Sequence, residues 1–171
     1  SGGPHTLKYG VTVNHITGLQ VVLPDGTIAE LGGEEDEAFG YDLVGLLTGS
    51  EGTLAIVTEV IARLTPNPQG VRTMLAVFET LEDASQTVSD IIASGIVPAA
   101  LELMDALTLK AVEAAFGYGF PLDAEAVLLI ELDGLEKELD GEQADVLTVC
   151  QHNHAREVRR ATTPAERAKL W

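Results

Sequence analysis

The chain has 171 residues, of which 46% are hydrophobic and 22% charged, and its 27 acidic and 10 basic residues give a formal net charge of −17. That composition supports a real core and excludes a disordered tail, and the acidic field argues against binding to nucleic acid or to an anionic membrane surface. No apolar run reaches the roughly 18 residues of a membrane span, no signal-type leader opens the chain, and the single Cys150 cannot form an internal disulfide, which fits a reducing, cytoplasmic setting.

The first segment, to about Pro68, reads as β-rich. Residues 12–15 are a short strand candidate. Two apolar runs, 19–23 and 27–31, flank Pro24-Asp25-Gly26, where proline presets φ and glycine supplies a tight turn, so a hairpin is expected. Residues 32–36 form an acidic loop. Asp42 is placed to cap a short helix over 43–47 that ends near Gly49. Residues 49–52, Gly-Ser-Glu-Gly, then turn into an apolar, β-branched run over 54–64 with the composition of a strand buried on both faces. Pro66 and Pro68 end it.

Beyond Val71 strands alternate with helices. Strands are expected over 73–78, 99–104, 127–132 and 157–160. Thr80 caps a helix whose buried face is Ala84, Val88, Ile91 and Ile92, and which Gly95 closes. Asp105 caps a helix through Ala115. The run Val127 to Leu132 does not alternate, which marks a central strand. A helix over 135–150 carries an interior Gly141. Thr163-Pro164-Ala165-Glu166 is a helix start with its N-cap, N1 and N3 residues in place. The order suggests an α+β layer of four strands with helices on one face, similar to a ferredoxin-like arrangement, and a boundary near 66–70.

Several groups of residues invite chemistry. Ser1-Gly2-Gly3-Pro4-His5, with Tyr9-Gly10, is either an ordinary loop or a place where backbone amides meet phosphate or a flat ring. Glycines on both sides of Ser50-Glu51 allow the same close approach, with Glu51 as an acceptor for a ribose or ring donor; the bland alternative is a turn into a core strand. No Gly-Lys-Ser/Thr loop or GxGxxG is present, so nucleotide triphosphatase and Rossmann sites are unsupported. Cys150, His152 and His154 would share one side of an extended chain, but a zinc site normally needs a second ligand pair, so a helix-ending polar loop is the better reading. No nucleophile elbow is present, and Cys150 sits among apolar helical positions. No catalytic or metal residue is assigned.

Gly2 to Thr12 and Gly49 to Glu59, in that order, with the hairpin and Gly40-Tyr41-Asp42-Leu43 between them, resemble the FAD-linked oxidases of the vanillyl-alcohol oxidase type. The likeness is closest to their glycolate oxidase D-subunit and D-lactate dehydrogenase branch. Val97 to Asp105 resembles the family's cap-domain strand, and Glu166 to Trp171 the helix before its substrate arginine. The resemblance implies that residues 1–66 are the second half of a PCMH-type FAD-binding domain and residues 67–171 part of a ferredoxin-like α+β cap. It further implies a piece of a longer flavoenzyme, with the pyrophosphate loop expected before Ser1 and the substrate arginine and histidine-rich segment after Trp171. Ser1, Gly2, Gly3, Glu51, Gly52, Ile56 and Val57 match FAD-contacting positions. Ala55 departs from the family's usual glycine, and its methyl is expected to crowd a bound nucleotide. The implied reaction is oxidation of a small D-2-hydroxy acid, of glycolate or D-lactate type, to the 2-oxo acid, with an electron acceptor and possible partner subunits or a homo-oligomer. The 171 residues alone are expected to be inactive and to hold little FAD. The alternative from another class is a cofactor-free α+β binding or assembly module.

Overall fold

The computed structural model describes residues 2–33 and 40–171. They form two compact units, Ser1–Asn67 and Pro68–Trp171.

The first unit contains α1 (Thr6–Tyr9), a 3-10 turn (Thr12–His15), β1 (Ile16–Val22), β2 (Ile28–Gly32), α2 (Leu43–Leu47) and β3 (Ile56–Ala62). The strand expected over 12–15 is thus a turn. Local bonds win there: Asn14 N–H donates to the Val11 carbonyl at 3.0 Å, and the His15 ring lies 2.7 Å from the Tyr9 carbonyl. The hairpin forms as expected, with Val22 opposite Ile28 and Gly18 opposite Gly32. Leu23 N–H donates to Thr27 O, and Gly26 N–H to Leu23 O, both at 2.8 Å. The Asp25 carboxylate accepts from the Thr27 hydroxyl and N–H, which hold its pKa below the ordinary aspartate value. Asp42 caps α2 by accepting from Gly45 N–H at 2.7 Å. Of the expected acidic loop, Gly32 closes β2 and residues 34–36 lie outside the described residues.

β3 departs from expectation. It pairs antiparallel with β1 in a sheet of order β2-β1-β3, and none of its residues is buried. Ile56 is 65% exposed and Val60 53%. The core of this unit is instead Leu19, Val21, Val44, Leu47 and Ala55. The physical reason is position: β3 is an edge strand, and α2 covers the β1 face. Its β-branched composition calls for cover that the described residues of this unit do not provide.

The second unit contains β4 (Gly70–Phe78), α3 (Leu81–Ala93), β5 (Ala100–Asp105), α4 (Ala106–Phe116), β6 (Ala126–Gly134), α5 (Glu136–His152), β7 (Glu157–Arg160) and α6 (Pro164–Leu170). The sheet order is β5-β6-β4-β7, with every neighbouring pair antiparallel. This is the order of a ferredoxin-like βαββαβ unit, with α4 added between its second and third strands. The helices do not share one face. Met74, Ala76, Phe78, Leu128, Ile130 and Leu132 pack with residues of α3 and α5, whereas Leu75, Val77, Val127 and Leu129 pack with Leu109 of α4. A strand without alternation, such as Val127 to Leu132, requires cover on both sides, and α4 supplies the second cover.

The caps follow the sequence. Thr80 accepts from Asp83 N–H at 3.1 Å and Asp105 from Thr108 N–H at 2.8 Å. On α3, Ala84 and Ile91 are fully buried and Val88 partly, but Ile92 is exposed. Thr87 takes the buried place, its hydroxyl donating to the Asp83 carbonyl at 2.8 Å and so leaving no polar group unpaired. On α6, Thr163 accepts from Glu166 N–H at 3.2 Å, while the Glu166 carboxylate reaches back to the N–H and hydroxyl of Thr162, both at 2.7 Å.

Candidate functional site

Between α2 and β3 the chain turns through Gly49, Glu51 and Gly52 at φ of 86°, 53° and 75°. Glu51 is the non-glycine residue in this left-handed stretch, a conformation a side chain adopts at some cost. The turn is closed by Ser50 N–H to Leu47 O at 3.1 Å and Thr53 N–H to Ser50 O at 3.0 Å, and the Thr53 hydroxyl donates to the Ser50 carbonyl at 2.6 Å. It borders an open hollow of about 280 Å³. Apolar walls come from Ile16, Leu19, Leu47, Val57 and Val60, and the rim from Thr12 and residues 48–52. Val57 and Val60 share a face because the register slips between them: Val57 lies opposite Val21, Glu59 opposite Gln20 and Val60 opposite Leu19. The displaced Thr58 bonds to the Gln20 side chain at 2.8 Å.

The hollow therefore gathers Glu51, Gly52 and Val57 from the residues singled out in the sequence. Ile56, Gly2 and Gly3 do not line it, and Ser1 lies outside the described residues. Gly2 and Gly3 instead lead into α1. Gly3 N–H donates to the Thr6 hydroxyl oxygen at 3.0 Å, and that hydroxyl donates to the Gly3 carbonyl at 2.7 Å. A Cβ on Gly2 would run into Thr6 Oγ1, which explains that glycine from within; a Cβ on Gly3 would meet nothing within 4 Å. Thr12, Ile16, Leu47 and Val60 were not legible as lining residues, since the bulge that turns Val60 inward has no local sequence signature. Ala55 corrects another expectation. It is 5% exposed and packs in the core with Leu19 and Val44, so its methyl serves the fold and does not line the hollow.

An apolar, open wall of this kind suits a flat ring, and Glu51 on its rim supplies an acceptor. Gly3, which does not line the hollow, leaves open space at the backbone among the described residues. Among the described residues no group of three His, Cys, Asp or Glu side chains could hold a metal ion. Cys150 and His152 are both helical, in α5, not extended. Cys150 is fully buried, and burial pushes its thiol up to about 11, so it is a protonated core residue. His154, at φ 61°, sits 3.3 Å from Asp83.

In the second unit one buried carboxylate is Glu131, 2% exposed on β6, which accepts from Arg167, Trp171 and Thr73. Sequence reasoning passed over it, because its partners lie 36 and 40 residues away and across the sheet.

The family model described as FAD linked oxidases, C-terminal domain, matches residues 67–171. The chain is 43% identical over 171 residues to the glycolate oxidase subunit GlcD of Escherichia coli strain K12, covering all of this chain and 34% of that protein. It is 34% identical over 179 residues to the D-lactate dehydrogenase of Anaerostipes hadrus, again over all of this chain and 38% of the relative. Thus the chain spans about a third of the length of the curated relatives it matches. Among solved structures, an alkyldihydroxyacetonephosphate synthase shares the fold with a TM-score of 0.70 at 23% identity, over 99% of this chain and 34% of that one. No helix among the described residues is long and apolar enough to cross a membrane. The chain belongs to the FAD-linked oxidases.

Proposed function

We propose that this chain works within an FAD-dependent oxidoreductase that oxidises a small D-2-hydroxy acid, of glycolate or D-lactate type, to the 2-oxo acid. In this reading residues 1–66 are the second half of the FAD-binding domain and residues 67–171 part of the cap. Ser1, Gly2, Gly3, Glu51, Gly52, Ile56 and Val57 contact the cofactor. The observation that carries the reading is the apolar hollow bordered by the left-handed turn at residues 49–52.

Bound FAD would supply the two-electron chemistry, acceptance of a hydride from the substrate's α-carbon. The residues of this chain bind and orient. Val57, Val60 and Leu19 present a flat apolar wall that excludes water from a ring face. Gly3 and Gly52 carry no side chain that would hold the cofactor off the backbone, and Glu51 accepts from a ribose or ring donor. Missing nucleophiles are expected of such a protein, since the cofactor performs the redox step. The name of the Escherichia coli relative, a glycolate oxidase subunit, supports partner subunits here too. A cytoplasmic location completes the reading.

The test is the full-length protein that carries this chain. It should purify yellow, with the visible flavin bands, and bleach without oxygen when glycolate or D-lactate is added. A colourless, folded protein that takes up no added FAD would contradict the proposal, as would bound flavin that neither acid bleaches.

A further inference from the structure

One face of the four-stranded sheet changes character halfway along. Leu75 and Val77 on β4, with Val127 and Leu129 on β6, lie in the apolar cluster under α4. Two residues further along the same face, Thr73 stands directly opposite Glu131, and Asp133 follows. This polar half is covered by α6. Glu131 accepts four hydrogen bonds there: from Thr73 Oγ1 at 2.8 Å, from Arg167 Nε and Nη2 at 2.9 Å each, and from Trp171 Nε1 at 2.7 Å. Three of the four donors come from the α6 segment, where Arg167 and Trp171 stand one turn apart. α6 itself buries no residue, and its apolar contact with the sheet is the partly buried Leu170. A seven-residue helix has no stability of its own. Beside Leu170, which is partly buried, and Trp171, which is 42% exposed, the polar contact that holds the segment to the sheet is the Glu131 carboxylate.

We propose that α6 is a detachable strap over the polar half of this sheet face, with Glu131 as its latch, opening and closing while the sheet stays folded.

The physics favours release as a unit. Breaking the pair in place would strand a buried charge, whereas moving the whole strap readmits water to Glu131 and Arg167 together. Meanwhile the two apolar clusters that hold β4 and β6 contain no α6 residue other than Leu170 at the margin. The charged groups on this face are Arg167 from α6, Asp133 on β6, which also attracts Arg167, Glu102 on β5 and Arg159 on β7. Thr73 from β4, Trp171 from the α6 segment and Ala100 opposite on β5 bring no charge. Burial pushes the Glu131 carboxyl up, but the bonds from Arg167, Trp171 and Thr73 outweigh it and hold the group below the ordinary glutamate value of 4.5. The latch is therefore fully set above pH 4.5 and is lost as pH falls through the lower folded value.

The inference does not depend on the flavin reading. Trp171 is the single tryptophan of these 171 residues, so the difference in emission between a variant and the unaltered protein reports the strap. In Glu131→Leu, which removes the latch and leaves an apolar face, the emission should shift to the red. Acrylamide quenching should rise about twofold from the 42% exposure of the docked indole, with the far-UV circular dichroism of the sheet retained. Unchanged emission and quenching in a folded Glu131→Leu would overturn the proposal, and so would a Trp171 change that occurs only with cooperative loss of the sheet. Should that variant fail to fold, hydrogen exchange on the unaltered chain decides. Amides of residues 165–170 should exchange at least about 100-fold faster than those of β4 and β6. Equal protection would overturn the strap.

Discussion

Replacing Phe78 by alanine should destabilise the Pro68–Trp171 unit by about 3–5 kcal/mol, read as a lower urea midpoint with an unchanged slope. Phe78 is fully buried at the end of β4, in the cluster that joins the sheet to α3 and α5. β4 is hydrogen-bonded on both sides, to β6 and β7, so its backbone cannot move inward to fill the space an alanine leaves. That is the situation in which the cavity cost adds in full to the lost transfer free energy. Against a whole-domain stability of roughly 5–15 kcal/mol, the loss would be a large share. A loss under about 1 kcal/mol would mean that the cluster repacks, contrary to the two-sided pairing of β4.

Gly32→Ala should cost the first unit about 3 kcal/mol, whereas its neighbour Gly33→Ala should be close to neutral. Gly32 has a φ of 65°, and a Cβ there would run into the Thr17 carbonyl oxygen and lie 2.9 Å from Val44 Cγ2. The change therefore adds left-handed strain, about 1–2 kcal/mol, to overpacking of about 1–3 kcal/mol. At Gly33 a Cβ meets nothing within 4 Å among the described residues. The difference should be visible in thermal melts of the two variants. Equal melts would show that the approach of β2 to β1 and α2 is looser than the structure has it.

Local chemistry was legible in the sequence and long-range cover was not. Pro24-Asp25-Gly26, Asp42, Thr80, Asp105 and Thr163 all form the turn or cap that their residue types dictate, because the partner of each lies within three residues. β3 shows the limit. Its β-branched composition encodes a demand for burial, but not whether the covering element lies within these residues, and here it stands exposed at a sheet edge. The same holds for α4: the uninterrupted run in β6 called for two covered faces without naming the helix that would cover the second. In the hollow, Glu51 and Val57 come together as members of one short segment. Val60 joins them through a bulge against Gln20, a residue 40 positions earlier in the chain.

The central claim is that the N-terminal glycines and the 49–52 turn wall a flavin site. It is tested most directly by the FAD affinity of Gly3→Val, measured by titrating the flavin-free full-length protein. Among the described residues a Cβ at Gly3 meets nothing within 4 Å, so the melting temperature of the flavin-free form should move little. FAD should bind at least about 10-fold more weakly, the equivalent of ~1.4 kcal/mol of steric exclusion. Wild-type affinity in Gly3→Val would contradict the placement of FAD against this chain.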